Sequence, residues 1–227
     1  MEQKIEILLQ AIKDSLMQMW NMIDEQIQRT EVALFNTDKE LAREIIVRER
    51  LINQMDNKIS LMCENYLALN APVATDLREI LATLRINSNL ERIGDYAKDI
   101  AMYVRDKKFK LEDAEMKKLK LKDLLLCLTR MDEINKMCFE KGNTKIIRDV
   151  FALDDQVDKI NHDALEIVSQ LIKADNSKIE DYIGLITAIK RLERIGDRLN
   201  NIAEETIFYL EANIVKHTSI NKENEKR

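Results

Sequence analysis

The sequence predicts an all-α protein built from two pseudo-symmetric three-helix bundles, with six long helices that arose by internal duplication. Three observations predict this fold class. Only 4 Gly and 1 Pro occur in 227 residues, which leaves few breakers for the turns of a sheet. Apolar residues recur at helical spacing over long stretches. The pentapeptide ERIGD occurs at Glu91–Asp95 and again at Glu193–Asp197, about half the chain length later, as expected of a duplicated unit.

The composition limits the classes of function. The formal net charge is −5, whereas a dedicated nucleic-acid binder presents a basic stripe to phosphates, so we expect no nucleic-acid partner. The 3 Cys, without a CxxC pair, favour reduced thiols in a protein core. Neither a signal peptide nor a charge-free run long enough to span a bilayer is visible. We therefore expect a soluble, cytoplasmic protein.

The first repeat is predicted to cover residues 1–108 and to contain three helices. Their predicted ends lie near Phe35, Ala68 and Arg105. Asp38 can cap the second helix, because its carboxylate can accept from backbone N–H groups of the first turn. Pro72 separates the second helix from the third. Thr75 and Asp76 are the candidate caps of the third helix, which carries the first ERIGD motif.

The second repeat is predicted to cover residues 109–216, after a linker at 106–113, with the same order of elements. Its helices are predicted to end near Glu140, Lys173 and Val215. Gly142 ends the first of them, and the polar tripeptide at 175–177 separates the other two. The tail at 217–227 is polar throughout and is expected to be disordered.

Each ERIGD motif places two carboxylates one helical turn apart beside a glycine. Glu91 and Asp95 share one face of the third helix, and Gly94 lies between them and the apolar face. Two negative charges at this spacing destabilise a helix unless a cation offsets them. Glycine within a helix costs about 1 kcal/mol relative to Ala, so its use in both copies indicates the close approach of a helix or an ion. Carboxylate oxygens suit Mg²⁺, Mn²⁺ and Fe³⁺.

The preceding helix of each repeat offers further oxygen ligands at the same spacing, so the candidate metal ligands form two sets. The first set comprises Glu49, Asn53, Glu91 and Asp95. The second set comprises Asp154, Asp158, Glu193 and Asp197. The alternative is that these carboxylates pair with Arg92 and with Lys or Arg of neighbouring helices. A single pair would favour this alternative, whereas two copies beside glycines favour metal. His162 could add a ligand, but a lone helical His is more often a surface residue.

These motifs resemble those of the PhoU family, cytoplasmic regulators of bacterial phosphate uptake. The resemblance rests on both ERIGD motifs and on Pro72–Arg78 (PVATDLR), and it spans roughly residues 10–212. It implies multinuclear sites for iron, zinc, manganese or magnesium, built from the two sets defined above. The chain departs from the family pattern at Glu49, where Asp is common. It also lacks a counterpart of PVATDLR before the second ERIGD motif.

The resemblance also implies a role and partners. Family members act as negative regulators of the phosphate-starvation response, and are thought to link the ATPase of the phosphate ABC transporter to a sensor histidine kinase. A chain similar to them would be an adaptor without catalytic turnover, peripheral to the membrane through its protein partners. Homodimers are common in the family, so we expect one here.

Three rival interpretations stay open. A di-iron enzyme needs Glu three residues before His, but Lys159 and Ile214 precede His162 and His217 at that spacing. No Walker A or GxSxG motif is present. An accessory protein of an ion-coupled, Pit-type phosphate transporter would share the helical architecture. A metal-free helical scaffold would use the carboxylates only in ion pairs.

Overall fold

The computed structural model describes residues 2–212, and its long elements are all α-helices. The bounds are Glu2–Asn36 (α1), Lys39–Asn70 (α2), Ala74–Asp106 (α3), Asp113–Lys118 (α4), Leu121–Lys141 (α5), Asp149–Ala174 (α6) and Ile179–Glu211 (α7). A 3₁₀ turn at Asn176–Lys178 precedes α7. Within residues 2–212, no helix combines the length and hydropathy needed to cross a membrane. Val215, His217 and the tail at 217–227 lie outside the described residues.

The six long helices form two three-helix bundles, which confirms the predicted fold class. Helices α1, α2 and α3 pack together in the first bundle, and α5, α6 and α7 in the second. Leu, Ile and Met side chains fill most of the interior, with Trp20 and Phe139 as the largest buried side chains. The short α4 lies between the bundles in sequence and packs on α5.

The predicted cap of α2 is confirmed, whereas the predicted cap of α3 is wrong. The Asp38 carboxylate accepts from the backbone N–H of Glu40 at 3.1 Å and of Leu41 at 3.0 Å. Helix α3 instead begins at Ala74, with extended Val73 as its N-cap residue and no side-chain cap. The reason is that Pro72 restricts only the residues beside it, so helical geometry resumes two residues later. Asp76 lies in the first turn of α3.

The fourth predicted helix is broken in two. Lys120 adopts a left-handed conformation with φ of 51° between α4 and α5. Leu119 and Leu121 are both buried, although residues two apart lie on opposite faces of a continuous helix. The break turns both side chains into the core. The next helix also starts later than predicted, since turns occupy residues 145–148 before α6.

Helices α3 and α7 join the two bundles and run antiparallel. Arg85 Nη1 lies 3.0 Å from Glu205 Oε2 at one end, and Arg191 Nε lies 2.9 Å from Asp99 Oδ2 further along. The residue number rises from 85 to 99 along α3 while that of the contacting residue falls from 205 to 191 along α7, as expected of antiparallel helices. This register brings the two ERIGD motifs to a similar level near the middle of both helices.

A second contact between the bundles involves α1 and α5. Trp20 Nε1 donates to Asp132 Oδ1 at 2.7 Å, and both side chains are buried. Burial and the neighbouring Asp24 raise the pKa of Asp132 well above its ordinary value. Lys136 forms an ion pair with Asp24 and donates to Asn21 Oδ1 at 2.6 Å. The α1–α5 contact therefore combines these polar interactions with the buried rings of Trp20 and Phe139, whose centroids lie 5.8 Å apart.

Candidate metal centre

The apolar side of each ERIGD motif is buried, as the sequence predicts. Leu90, Ile93 and Ala97 are each 0% exposed in α3. Leu192 and Ile195 are buried in α7 in the same way. The carboxylates beside them therefore face the preceding helix of their own bundle, at the boundary between core and solvent.

The second set places four carboxylates near one another on α6 and α7, and the charges of Arg194 and Lys190 act on Glu193 without forming an ion pair with it. Asp154 is buried on α6, Asp158 is exposed one turn later, and Glu193 and Asp197 are half-buried on α7. Within the described part of the chain, none of the four accepts a hydrogen bond or forms an ion pair within 4 Å. Asp154 Oδ1 is buried without a hydrogen-bond partner.

In the second set, burial and neighbouring charges disfavour the ionised forms of Asp154, Asp158 and Glu193. Burial first, and then the charges of Asp158, Asp197, Asp155 and Glu193, raise the pKa of Asp154 to about 7. Burial and the neighbouring carboxylates also raise the pKa values of Asp158 and Glu193, while Arg194 and Lys190 oppose the rise at Glu193. A buried carboxylate that lacks a partner carries a desolvation cost that a bound cation would offset.

Gly196 makes room for the Asp154 carboxylate. A Cβ atom at this position would lie 3.0 Å from Asp154 Oδ1, 3.3 Å from Val157 Cγ1 and 3.4 Å from Leu128 Cδ2. The missing side chain therefore lets the carboxylate lie directly against the backbone of α7. The sequence predicted that this glycine makes room for an ion or a neighbouring helix. In the structure, Gly196 makes room for the Asp154 side chain of α6.

The residues of the second set fit a cation by their chemistry, although their side chains are spread apart. Oxygen donors, an unpartnered buried oxygen and a glycine cradle lie at one place. Among residues 2–212, no three His, Cys, Asp or Glu side chains converge closely enough to enclose an ion. The negative charges repel one another, so the side chains would have to rotate inward to hold a cation.

The first set differs because a lysine lies within it. Lys98 Nζ is 3.3 Å from Glu49 Oε1 on α2 and 3.0 Å from Asp95 Oδ1 on α3. Asn53 Nδ2 donates to the same Glu49 oxygen at 2.6 Å. Arg92 approaches from the solvent side, with Nε 3.6 Å from Glu91 Oε2 and Nη1 3.5 Å from Asp95 Oδ2.

The pKa directions in the first set reflect this pairing. Burial disfavours the charged form of Lys98, but the hydrogen bonds and charges of Asp95 and Glu49 outweigh it and raise the pKa of the ammonium group. Burial and the charge of Asp95 raise the pKa of Glu91, while Arg92 opposes the rise. In the structure, the carboxylates of the first set thus form ion pairs with Lys98 and Arg92, which is the alternative to metal binding considered from the sequence.

Gly94 also has a different environment from Gly196. A Cβ atom on Gly94 would lie 3.1 Å from Ile52 Cδ1 and Cγ2, and 3.3 Å from Ile23 Cδ1. These are apolar side chains of α2 and α1. Gly94 thus serves close helix packing, whereas Gly196 also accommodates a carboxylate.

Some residues of the site were not singled out from the sequence. Lys98 lies three residues after Asp95 and seven after Glu91, so its spacing could have placed it on the same face. Asn87 is buried and donates to the Asp56 side chain at 2.7 Å, which ties Asp56 beside the first set. His162 is exposed on α6, in line with its interpretation as a surface residue.

Comparison with known proteins places this helical architecture in a family. The family model described as "PhoU domain" matches the chain twice, at residues 16–104 and 125–206. The phosphate-specific transport system accessory protein PhoU homolog of Borreliella burgdorferi is 31% identical over 210 residues, which cover 90% of this chain and 94% of that protein.

Solved structures show the same fold. The crystal structure of PhoU from Pseudomonas aeruginosa superposes with a TM-score of 0.84 at 25% identity, and covers 92% of this chain and 99% of that one. The phosphate transport system regulatory protein PhoU from Streptococcus pneumoniae superposes with a TM-score of 0.79 at 23% identity, and covers 93% and 99%. The repeated domain match and the full-length likeness together show that this chain belongs to the PhoU family.

Proposed function

We propose that this chain is an accessory protein of phosphate transport that regulates without catalysing a reaction. The observation that carries the proposal is the double match to the PhoU domain, together with relatives named for a phosphate-specific transport system. The helical architecture supports it, because two bundles joined along α3 and α7 present long helical faces on which protein partners can dock. The chain acts as a negative regulator of the phosphate-starvation response.

The second set binds the metal cation of this regulator. Asp154 and Asp158 on α6 hold it together with Glu193 and Asp197 on α7, and the cation ties the two helices to each other. Oxygen-only donors favour magnesium, manganese or iron over zinc. For the first set, Glu49, Asn53, Glu91 and Asp95, metal binding stays a prediction from the sequence.

The partners are the ATPase of the phosphate ABC transporter and a sensor histidine kinase. In this role the chain works in the cytoplasm, at the membrane surface but held there by proteins, and as a homodimer. A cation at the second set fixes the α6–α7 surface, so that partner recognition depends on a bound metal rather than on a reaction. The absence of turnover distinguishes this adaptor from a metalloenzyme built on the same carboxylates.

A pull-down from membrane extract tests the proposal. The tagged chain is incubated with extract of phosphate-replete cells in the presence of Mn²⁺, and bound proteins are identified by mass spectrometry. We expect the phosphate ABC ATPase and a histidine kinase. A matched sample of Asp154→Asn/Asp197→Asn, which removes two negative charges from the second set, should recover less of both.

The same experiment separates the rival functions. Recovery of an ion-coupled, Pit-type phosphate permease, without the ABC ATPase, would identify the chain as an accessory protein of that transporter. Equal recovery by the wild type and the variant, with and without chelator, would support a metal-free scaffold.

A further inference from the structure

The two duplicated sets differ in two ways: the first has neutral Asn53 where the second has Asp158, and only the first has a lysine paired with its carboxylates. We propose that Lys98 takes the place of the metal in the first repeat, so that the chain binds its cation at the second set alone. The part that concerns the second set rests on the proposed function above. The part that concerns Lys98 stands on the geometry of the first set.

Lys98 occupies the position between helices that a bridging cation would need. Its Nζ atom contacts Glu49 of α2 at 3.3 Å and Asp95 of α3 at 3.0 Å. The side chains of Lys98, Glu49 and Asp95 are only 27%, 8% and 28% exposed. Because these contacts are withdrawn from bulk water, salt screens them less than a surface pair. A metal ion could reach the same oxygens only by displacing the ammonium group.

The second repeat has no such group at the equivalent position. Counting from the ERIGD motif, Asn200 corresponds to Lys98. Its side chain is neutral, and its Oδ1 atom is buried without a hydrogen-bond partner. Asp154 Oδ1 likewise lacks a partner, and Asp154 is only 9% exposed. Within residues 2–212, the carboxylates of the second set thus have no ion-pair partner within 4 Å, whereas Glu49 and Asp95 of the first set share Lys98.

The glycines support the same division between the repeats. Gly196 lies against a carboxylate oxygen of Asp154, whereas Gly94 lies against Ile52 and Ile23. In the first repeat, the ammonium group of Lys98 and apolar packing around Gly94 hold α2 against α3. The bundle of this repeat holds together at any metal concentration. Only the α6–α7 contact of the second bundle responds to a dissociable cation, so any metal-dependent regulation acts through that bundle.

An exchange of the two equivalent residues tests the inference. Lys98→Asn gives the first repeat the residue of the second, and Asn200→Lys gives the second repeat the lysine of the first. Lys58→Asn, at an exposed position of α2, is the matched control for loss of a lysine. Mn²⁺ binding is measured by isothermal titration and by electron paramagnetic resonance, and circular dichroism checks that each variant folds.

We expect Mn²⁺ binding by the wild type to be lost on Asp197→Asn and unchanged by Glu91→Gln. Lys98→Asn should add a binding site that survives Asp197→Asn and is lost on Glu91→Gln. Asn200→Lys should weaken the wild-type site roughly 10- to 100-fold, the range in which groups around a metal tune its affinity. Lys58→Asn should leave binding unchanged.

Two results would overturn the role of Lys98, and a third result separates that role from failure of the proposed function. Wild-type binding that Glu91→Gln weakens would show a metal at the first set despite Lys98, and would leave the metal proposal standing. Lys98→Asn without a new site would show that the lysine excludes nothing. Absence of Mn²⁺ binding by the wild type, with binding by Lys98→Asn at the first set, would support the role of Lys98 but refute the cation at the second set.

Discussion

Asp154 is the carboxylate of the site whose surroundings least favour a negative charge. It is 9% exposed, faces other carboxylates, and has one oxygen without a partner. Its pKa rises to about 7 from an ordinary 3.8. In the metal-free protein, the folded state therefore binds a proton that the unfolded state has already released between about pH 4 and pH 7.

This difference in proton binding between the folded and unfolded states determines whether stability rises or falls with pH. Stability falls as pH rises wherever the native state holds more protons than the unfolded state. We expect the free energy of unfolding of the chelator-treated protein to decline from pH 4 to 7, with Asp154 contributing no more than about 4 kcal/mol. Asp158 and Glu193 add to the decline, because their pKa values are also raised.

Asp154→Asn keeps the shape of the side chain and removes its charge. Urea unfolding in chelator should show a flatter pH profile than the wild type, and a higher stability at pH 8. At pH 8, Mn²⁺ should stabilise the wild type more than the variant. A variant profile as steep as that of the wild type would mean that Asp154 is not the group that titrates.

The sequence was sufficient to predict the carboxylate pairs but not their neutralisation. Spacing along a helix places Glu91 beside Asp95 and Glu193 beside Asp197 because those relations are local. Whether the ammonium group of Lys98 also bridges to α2 depends on how α2 packs against α3, which is a tertiary property. Lys98 shares the face of Asp95, yet only the packed structure brings it to Glu49.

At the scale of the helices, the glycines of the two ERIGD motifs pack against different neighbours, so their substitution should have different effects. Gly94→Ala would force a Cβ atom against Ile52 at 3.1 Å in a closed apolar contact. Overpacking of a core costs about 1–3 kcal/mol, more than the roughly 1 kcal/mol gained in helix propensity. We expect a net loss of stability in urea unfolding and unchanged Mn²⁺ affinity.

Gly196→Ala is the matched variant in the second repeat. Its Cβ atom would meet Asp154 Oδ1 at 3.0 Å, and a carboxylate can rotate away more easily than a packed isoleucine. We expect a smaller loss of stability than for Gly94→Ala, but weaker Mn²⁺ binding by roughly tenfold or more, since a ligand is displaced. The reverse pattern, with metal binding lost on Gly94→Ala, would contradict this assignment.

Helix bounds were predicted well where a local signal ends the helix. Asp38 caps α2 and Gly142, at φ of 60°, ends α5. The break at Lys120 was not predicted, because lysine carries no turn preference. Burial of Leu119 and Leu121 imposes the break, and this requirement appears only when α4 and α5 pack on the rest of the molecule.

In the whole molecule, duplication predicted two bundles but not the way they join. The antiparallel contact of α3 with α7 depends on residues far apart in sequence, such as Arg85 with Glu205 and Asp99 with Arg191. Nothing in the local pattern of either helix selects its partner. The α1–α5 contact, with the buried Trp20–Asp132 hydrogen bond, was likewise not predicted.

Trp20→Phe tests how strongly the α1–α5 contact holds the bundles together. The substitution removes the donor that lies 2.7 Å from Asp132 Oδ1 and leaves a buried carboxyl group without it, at a cost of about 1–3 kcal/mol. Urea unfolding at pH 8 should show this loss. Asp132→Asn keeps an acceptor for Trp20 and removes the charge, so its stability at pH 8 should equal or exceed that of the wild type.

A loss of stability in Asp132→Asn as large as that in Trp20→Phe would mean that the carboxylate charge itself is favourable there. The bundles would then be joined by an electrostatic contact with Lys136, which also pairs with Asp24, rather than by a buried hydrogen bond.

The most direct measurement for the whole account is the metal content of protein purified without chelator. Inductively coupled plasma mass spectrometry compares the wild type with Glu193→Ala/Asp197→Ala and with its counterpart in the first repeat, Glu91→Ala/Asp95→Ala. We predict bound metal in the wild type and in the first-repeat variant, and its loss in the second-repeat variant. Equal metal content in all three proteins, or metal lost only from the first-repeat variant, would contradict a cation held between α6 and α7.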